Sequence, residues 1–302
     1  MKKVMLKTSL GVAVALASSQ LLASGFALNE QSISSMGTGF AGRSSSADDA
    51  STVFGNPAGM SRLKREQITV GGAAVIAKSD ISGRGSNLGG ETDGDMVPFV
   101  GVPMGYYVKP IDDHWSVGFG VYVPYGLITD YGSDDAARYW GKKSKVEVVT
   151  FQPTVSYAFN DKVSIGFGPT INRIDGSLES NLSISPAFPD GKVKIKGDDT
   201  ALGYNVGVLV QATDTTRVGL TYHSKVDYKL EGNTKVNYGA LAAVGLGASQ
   251  KYDASLKITT PESVDFSVTQ AINDRWNVYA GSTWTRWSQL EKITVKNSGV
   301  QP

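Results

Sequence analysis

From about Glu66 onward the chain alternates apolar and polar residues with a period of two, the pattern of strands whose two faces meet different surroundings. Trp115, Val117, Phe119, Val121 and Val123 share one face, against Ser116, Gly118, Gly120 and Tyr122. Val149, Phe151, Val155, Tyr157 and Phe159 oppose Thr150, Gln152, Thr154, Ser156 and Ala158. Leu202, Tyr204, Val206, Val208 and Val210 oppose Gly203, Asn205, Gly207 and Gln211, and Val264, Phe266 and Val268 oppose Ser263, Asp265, Ser267 and Thr269. Short polar turns recur at Pro110–Asp113, Asn160-Asp161, Asp214–Thr216 and Asn273-Asp274, with a period of roughly fifty residues. Each opens onto a similar strand: W-S-V-G-F-G, V-S-I-G-F-G, R-V-G-L-T-Y and W-N-V-Y-A-G. Longer polar connections fall near Ser79–Val97, Thr129–Lys143, Ser180–Asp199 and Gly232–Lys251. The pattern predicts an all-β chain of about nine antiparallel strands.

The second face decides the class. A soluble sandwich buries one face and exposes a charged one. Here the second face is mostly Gly, Ser, Thr, Asn and Gln, which suits a barrel interior. The apolar face then meets lipid, where only a closed barrel satisfies every peptide group. Trp115, Tyr157, Phe159 and Trp276 sit near strand ends, where interfacial girdles place aromatic rings. Short turns on one side and long connections on the other match bacterial outer-membrane barrels. The competing reading is a soluble β-repeat protein.

The leader supports export. Lys2, Lys3 and Lys7 precede the apolar run Leu10–Ala17 and a small-residue stretch, which is signal-peptide anatomy. Residues 1–23 are expected to be removed after Ala23. No other apolar stretch could form a spanning helix, so a membrane role must use strands or surface contacts. Among 302 residues, 29 Lys and Arg balance 28 Asp and Glu, without the clustered basic excess of a nucleic-acid binder. Cysteine is absent, which excludes disulfides, thiolate metal sites and Cys nucleophiles.

Enzyme chemistry has little to stand on. Of two histidines, His114 falls at a turn and His223 in a strand, neither beside a motif that makes it a base. There is no G-x-S-x-G, H-E-x-x-H or phosphate loop. Asp48-Asp49 and Asp134-Asp135 are paired acids in hatch-like and loop-like segments, read as solvated or capping groups. No metal or cofactor is expected. The enzyme alternative, an outer-membrane lipase, needs a Ser and a His on adjacent strands facing one way.

The N-terminal S-G-F-A-L-N-E-Q-S (Ser24–Ser32), A-D-D-A (Ala47–Ala50) and N-P-A (Asn56–Ala58) together resemble the start of the FadL family. These are outer-membrane transporters for long-chain fatty acids and other hydrophobic compounds. V-P-Y-G-L (Val123–Leu127), T-P-E (Thr260–Glu262) and W-S-Q (Trp287–Gln289) look like family positions too. The resemblance implies a transmembrane antiparallel β-barrel of fourteen strands, plugged by a small N-terminal hatch. Residues 24–65 would be the hatch and 66–302 the barrel, with about five strands beyond those seen here. The chain ends in the polar S-G-V-Q-P rather than on a terminal aromatic, so the sequence is expected to stop short of the natural end, or the natural product is unusual.

Passive uptake follows from the resemblance: capture among extracellular loops, binding in the lumen, then lateral release at a kink in the third strand. The partners implied are a long-chain fatty acid or another hydrophobic small molecule, and outer-membrane lipid, with the protein a monomer. An aromatic hydrocarbon is the alternative substrate, and an adhesin the alternative class. Phe26 and Leu28 are the expected ligand contacts of the hatch. Asn56, Pro57 and Ala58 form the hatch turn, expected to brace it against the kinked third strand. Pro124, Tyr125 and Gly126 mark the lateral opening, since Pro124 lacks the N–H a ladder needs. A basic residue is expected for a carboxylate. Arg173 is the candidate, although strict alternation from Val163 places it on the outward face unless Pro169 introduces a bulge.

Overall fold

The structure, a computed structural model, describes residues 25–79, 95–135, 137–183, 189–239, 249–290 and 294–298. The expected leader (1–23), parts of the long connections and most of the C-terminal tail lie outside the described residues.

Twelve antiparallel strands form one sheet. In chain order they are β1 (Gln67–Val75), β2 (Val100–Pro110), β3 (Trp115–Asp130), β4 (Lys143–Ala158), β5 (Val163–Leu182), β6 (Gly191–Gln211), β7 (Thr216–His223), β8 (Val226–Asn237), β9 (Ser249–Thr260), β10 (Ser263–Asn273), β11 (Trp276–Thr285) and β12 (Thr294–Ser298). Three interruptions divide the expected nine or so strands into twelve segments. β7 and β8 both pair with β6, β9 and β10 follow one another across Pro261 and Glu262, and β11 and β12 pair with β10 and β9 respectively. Twelve segments therefore make nine passes of the wall, and the breaks at 224–225 and 261–262 stand side by side. Among the described residues the sheet is a curled half-barrel, with β1 at one edge and β11 at the other.

The predicted turns close the hairpins β2–β3, β4–β5, β6–β7 and β10–β11. Three are fastened by a side-chain oxygen that accepts two backbone N–H groups: Asp112 from His114 and Trp115, Asn160 from Lys162 and Val163, Asn273 from Arg275 and Trp276. At the other end, much of the expected loop Ser180–Asp199 is strand, with β5 and β6 in register out to Leu182 opposite Gly191. β8 and β9 likewise extend to Asn237 opposite Ser249.

Over most of the wall the inward face is polar and the outward face apolar, while β1 and β2 turn Ala73, Val102, Met104, Tyr106 and Val108 inward against the N-terminal segment. Ser116, Thr150, Gln152, Thr154, Ser156, Ser164, Asn172, Asn205 and Ser267 are buried, while Phe119, Phe151, Ile165, Phe167, Ile171, Leu202 and Phe266 are exposed. That inversion is the barrel pattern read from the sequence. Trp115, Tyr157 and Phe159 cluster at the turn end, with ring centroids 4.8 and 5.2 Å apart. Both faces then change character along the strand. Beyond Thr150 and Asn172 the inward positions become Val148, Val146, Ile174, Tyr228, Leu230 and Ile258, which pack as one apolar cluster. The outward positions become charged, with ion pairs Lys145–Glu147, Arg173–Asp198 and Lys229–Glu231. The strands thus leave the lipid band and continue as an apolar-lined, charge-coated rim.

Residues 25–65 pack on the inward face. They include two short helices, α1 (Ile33–Met36) and α2 (Thr52–Gly55), and a 3₁₀ turn over Pro57–Arg62. The close fit depends on missing side chains in the wall. A Cβ at Gly207 would overlap the Asn56 amide, and one at Gly219 would overlap the Ser44 carbonyl. Gly207→Ala is expected to force the segment off its seat at a cost of about 1–3 kcal/mol. Hydrogen exchange should read this as faster exchange over residues 44–58 with the strands unchanged.

Candidate functional site

The α2 helix is four residues long, and its terminal carbonyls have no partner within the helix. The wall supplies them. Gln152 Nε2 of β4 donates to the Val53 carbonyl (2.8 Å), Asn205 Nδ2 of β6 to Phe54 (3.0 Å) and Thr221 Oγ1 of β7 to Gly55 (2.8 Å). Ser164 Oγ of β5 donates to Ala58 (2.9 Å). The small polar inward residues are therefore hydrogen-bond partners for the N-terminal segment.

Asn56 fastens the same seat. Its Oδ1 accepts the Ala58 N–H (3.0 Å), and its Nδ2 donates to the Ser44 carbonyl (2.7 Å) and the Val208 carbonyl (3.0 Å). Gly166 leaves room for Pro57. The expected brace is thus corrected: Asn56, Pro57 and Ala58 bear on β5 and β6, and the third-strand kink is held by other residues.

That kink is a bulge. Tyr122 lies opposite Thr150 and Tyr125 opposite Val148, three steps on β3 against two on β4. The extra residue reverses the alternation, so Val123 is buried instead of facing lipid and Tyr125 turns inward. β2 pairs with β3 only as far as Gly105 opposite Val121, although β2 continues along β1 to Val100. Residues 26–28 occupy the space thus left beside β3. Ala27 bridges Tyr125, the Leu28 N–H donates to the Pro124 carbonyl (2.9 Å), and the Gly126 N–H donates to the Phe26 carbonyl (2.8 Å). Gln31 Nε2 donates to the Val123 carbonyl (2.6 Å). Gly126 has no side chain to push Leu28 away.

Phe26, Leu28, Pro124, Tyr125 and Gly126 therefore meet at one place. The Phe26 ring lies 5.3 Å from Tyr125 and 5.8 Å from Trp287, which comes from the break between β11 and β12. Above them stands the apolar cluster of the rim. A cavity of about 750 Å³ opens here, lined by Leu28, Tyr125, Val226, Tyr228 and Trp287 and also by Arg43, His223 and Asp265. Arg173 is not part of it. β5 pairs with β6 without a register shift across Pro169, so alternation holds and Arg173 faces outward, 2.7 Å from Asp198. Sequence reasoning missed Arg43. The signal was available, since Arg43 is the lone Lys or Arg between Ser24 and Ser61.

An apolar outer band, a polar inward face and a segment seated within it define an outer-membrane β-barrel transport protein. Residues 14–301 match the family model "Outer membrane protein transport protein (OMPP1/FadL/TodX)", and the chain belongs to that family. It is similar to a "Long-chain fatty acid transport protein" of Escherichia coli O6:H1, 31% identical over 99% of this chain and 74% of the relative. It is 27% identical to "Outer membrane protein P1" of Haemophilus influenzae, over 94% of this chain and 70% of that one. Among solved structures, a Pseudomonas aeruginosa FadL homologue superposes with a TM-score of 0.75 at 24% identity, over 91% of this chain and 73% of that one. The Ralstonia pickettii toluene transporter TbuX gives 0.61 at 17%, over 83% and 71%. The family is one of transporters of hydrophobic compounds, not of enzymes.

Asn56→Ala would remove the buried partner of the Ser44 carbonyl and of the Ala58 N–H, and one bond to the Val208 carbonyl, a loss of about 2–4 kcal/mol in seating. Trypsin applied to membranes should then cut at Arg43 and Arg62, at the same level of assembled protein. Equal resistance to trypsin would show that the seat does not depend on Asn56.

Proposed function

We propose that the protein takes up long-chain fatty acids or similar hydrophobic compounds passively, and that the substrate leaves sideways through the wall beside β3. The observation that carries this reading is the unpaired flank of β3 beyond Val121, filled by residues 26–28 instead of by β2. Two backbone hydrogen bonds and a few side chains hold that filling in place. They are far fewer than the bonds of a full strand pair, so this is where the wall parts most readily. Residues 24–65 act as the hatch.

The energetics need no external source. Burial of an alkyl chain gains about 0.8 kcal/mol per CH₂, and an apolar cluster runs from the rim to Phe26 and Tyr125. Capture at the rim, transfer to the cavity at Leu28, Tyr125 and Trp287, and exit where residues 26–28 withdraw form one downhill route. The rings of Phe26, Tyr125 and Trp287 also suit an aromatic hydrocarbon, which is the second reading.

The absence of cysteine makes the exit testable. Ala27 and Tyr125 form a non-hydrogen-bonded antiparallel pair, whose Cα separation of about 4.5 Å suits a disulfide. Ala27→Cys with Tyr125→Cys should stop fatty-acid uptake when oxidised and restore it on reduction. Full uptake by the oxidised protein would place the exit elsewhere. Dissipating the proton gradient should leave uptake into outer-membrane vesicles unaltered, whereas loss of uptake would count against passive transfer.

A further inference from the structure

Arg43 belongs to the N-terminal segment yet lines the cavity, together with Asn29, Phe40, Phe54, His223 and Asp265. Its guanidinium stands 5.2 Å from the Phe40 ring and 5.8 Å from the Phe54 ring, which support its faces. Nη2 donates to Asn29 Oδ1 at 3.1 Å and reaches the Asn29 carbonyl at 3.5 Å. Nη1 lies 3.8 Å from Asp265 Oδ2, beyond hydrogen-bond length, while that oxygen accepts from Thr283 Oγ1 at 2.6 Å. Nε and Nη1 carry no hydrogen bond among the described residues. Both side chains of the pair are nearly enclosed, at 12% and 6% exposure.

A buried guanidinium with a loose counter-ion and spare donors is a receptor for a planar anion. Arg binds a carboxylate through two parallel N–H bonds, which Asp265 does not make. Burial pushes the Arg43 guanidinium down from its ordinary value, and Asp265 and Glu30 only oppose this. A carboxylate bonded directly to the spare N–H groups would offset the cost of that burial better than Asp265 does at 3.8 Å. The same cavity offers Leu28, Tyr125, Val226, Tyr228 and Trp287 to an alkyl chain.

We infer that Arg43 receives the carboxylate head group of an amphiphilic substrate, which displaces Asp265 from it. The inference rests on the hydrophobic-uptake reading and narrows it to an anionic amphiphile. The anion receptor sits on the N-terminal segment rather than on the barrel wall, next to the seated Ser44. A neutral hydrocarbon has nothing to offer Arg43.

The test compares oleate with oleyl alcohol, which share a chain and differ in charge, on the full chain in lipid nanodiscs. Wild-type protein should bind oleate about tenfold or more tightly than the alcohol. Arg43→Gln should bring oleate to the level of the alcohol and leave the alcohol unchanged, and Arg43→Lys should recover part of the difference. Asp265→Asn removes the competing carboxylate and should tighten oleate alone. That variant also answers the question if Arg43→Gln does not assemble. Equal binding of acid and alcohol by the wild type, or an equal loss of both in Arg43→Gln, overturns the Arg43 assignment and leaves hydrophobic uptake standing. Weaker oleate binding in Asp265→Asn overturns the exchange. Binding of neither compound by the wild type overturns the assignment and the uptake reading together.

Discussion

Four carbonyls of the N-terminal segment, at Val53, Phe54, Gly55 and Ala58, are each met by a side chain from a different strand. This shared bonding governs the rest of the structure. A short helix cannot satisfy its own end, and a wall facing a narrow lumen cannot leave hydroxyls and amides dry. Each solves the other's problem. The consequence is a fixed seat near the turn end and a much lighter attachment at residues 26–28. One chain segment thereby combines a rigid anchor with a releasable tip.

The division of the wall follows the same logic. Where the segment sits on β4 to β7, inward residues are small and polar, whereas on β1 and β2 they are apolar and pack against Val53, Phe54 and Met60. Where it does not sit, they are aliphatic and aromatic. The outward surface changes in the opposite sense, from lipid-facing to charged. A hydrophobic molecule meeting the rim therefore finds its apolar surface on the inside, at the height where the outside has ceased to be apolar.

The period-two pattern made the barrel legible, because the lumen and the lipid impose different chemistries on alternate residues. The hairpin turns were equally legible from Asp112, Asn160 and Asn273. Two kinds of information were not. A bulge is a single inserted residue, so Val123 read as outward although Tyr122 and Tyr125 both turn in. Breaks such as Pro261-Glu262 leave the alternation intact on either side and are seen only when pairing partners change. For the site, the resemblance brought attention to Phe26 and Pro124–Gly126, and the structure brings these residues together. It could not tell which strands Asn56 would meet, because that depends on how the segment folds back across the lumen. Arg173 followed its alternation outward, while Arg43 lay in a stretch without periodicity where composition alone marked it.

The adjacent breaks at 224–225 and 261–262, with the end of β11 at Thr285 beside them, carry a mechanical meaning. An intact ladder resists bending because each strand is stiffened by its neighbours. Cutting neighbouring strands at one height removes that reinforcement along a line, and the sheet then has a crease. The charged rim of β8, β9 and β12 can tilt about the crease while β7, β10 and β11 stay embedded. β6 runs unbroken past that line and joins the two parts, and the seat of the N-terminal segment lies on the β7 and β10 side of it.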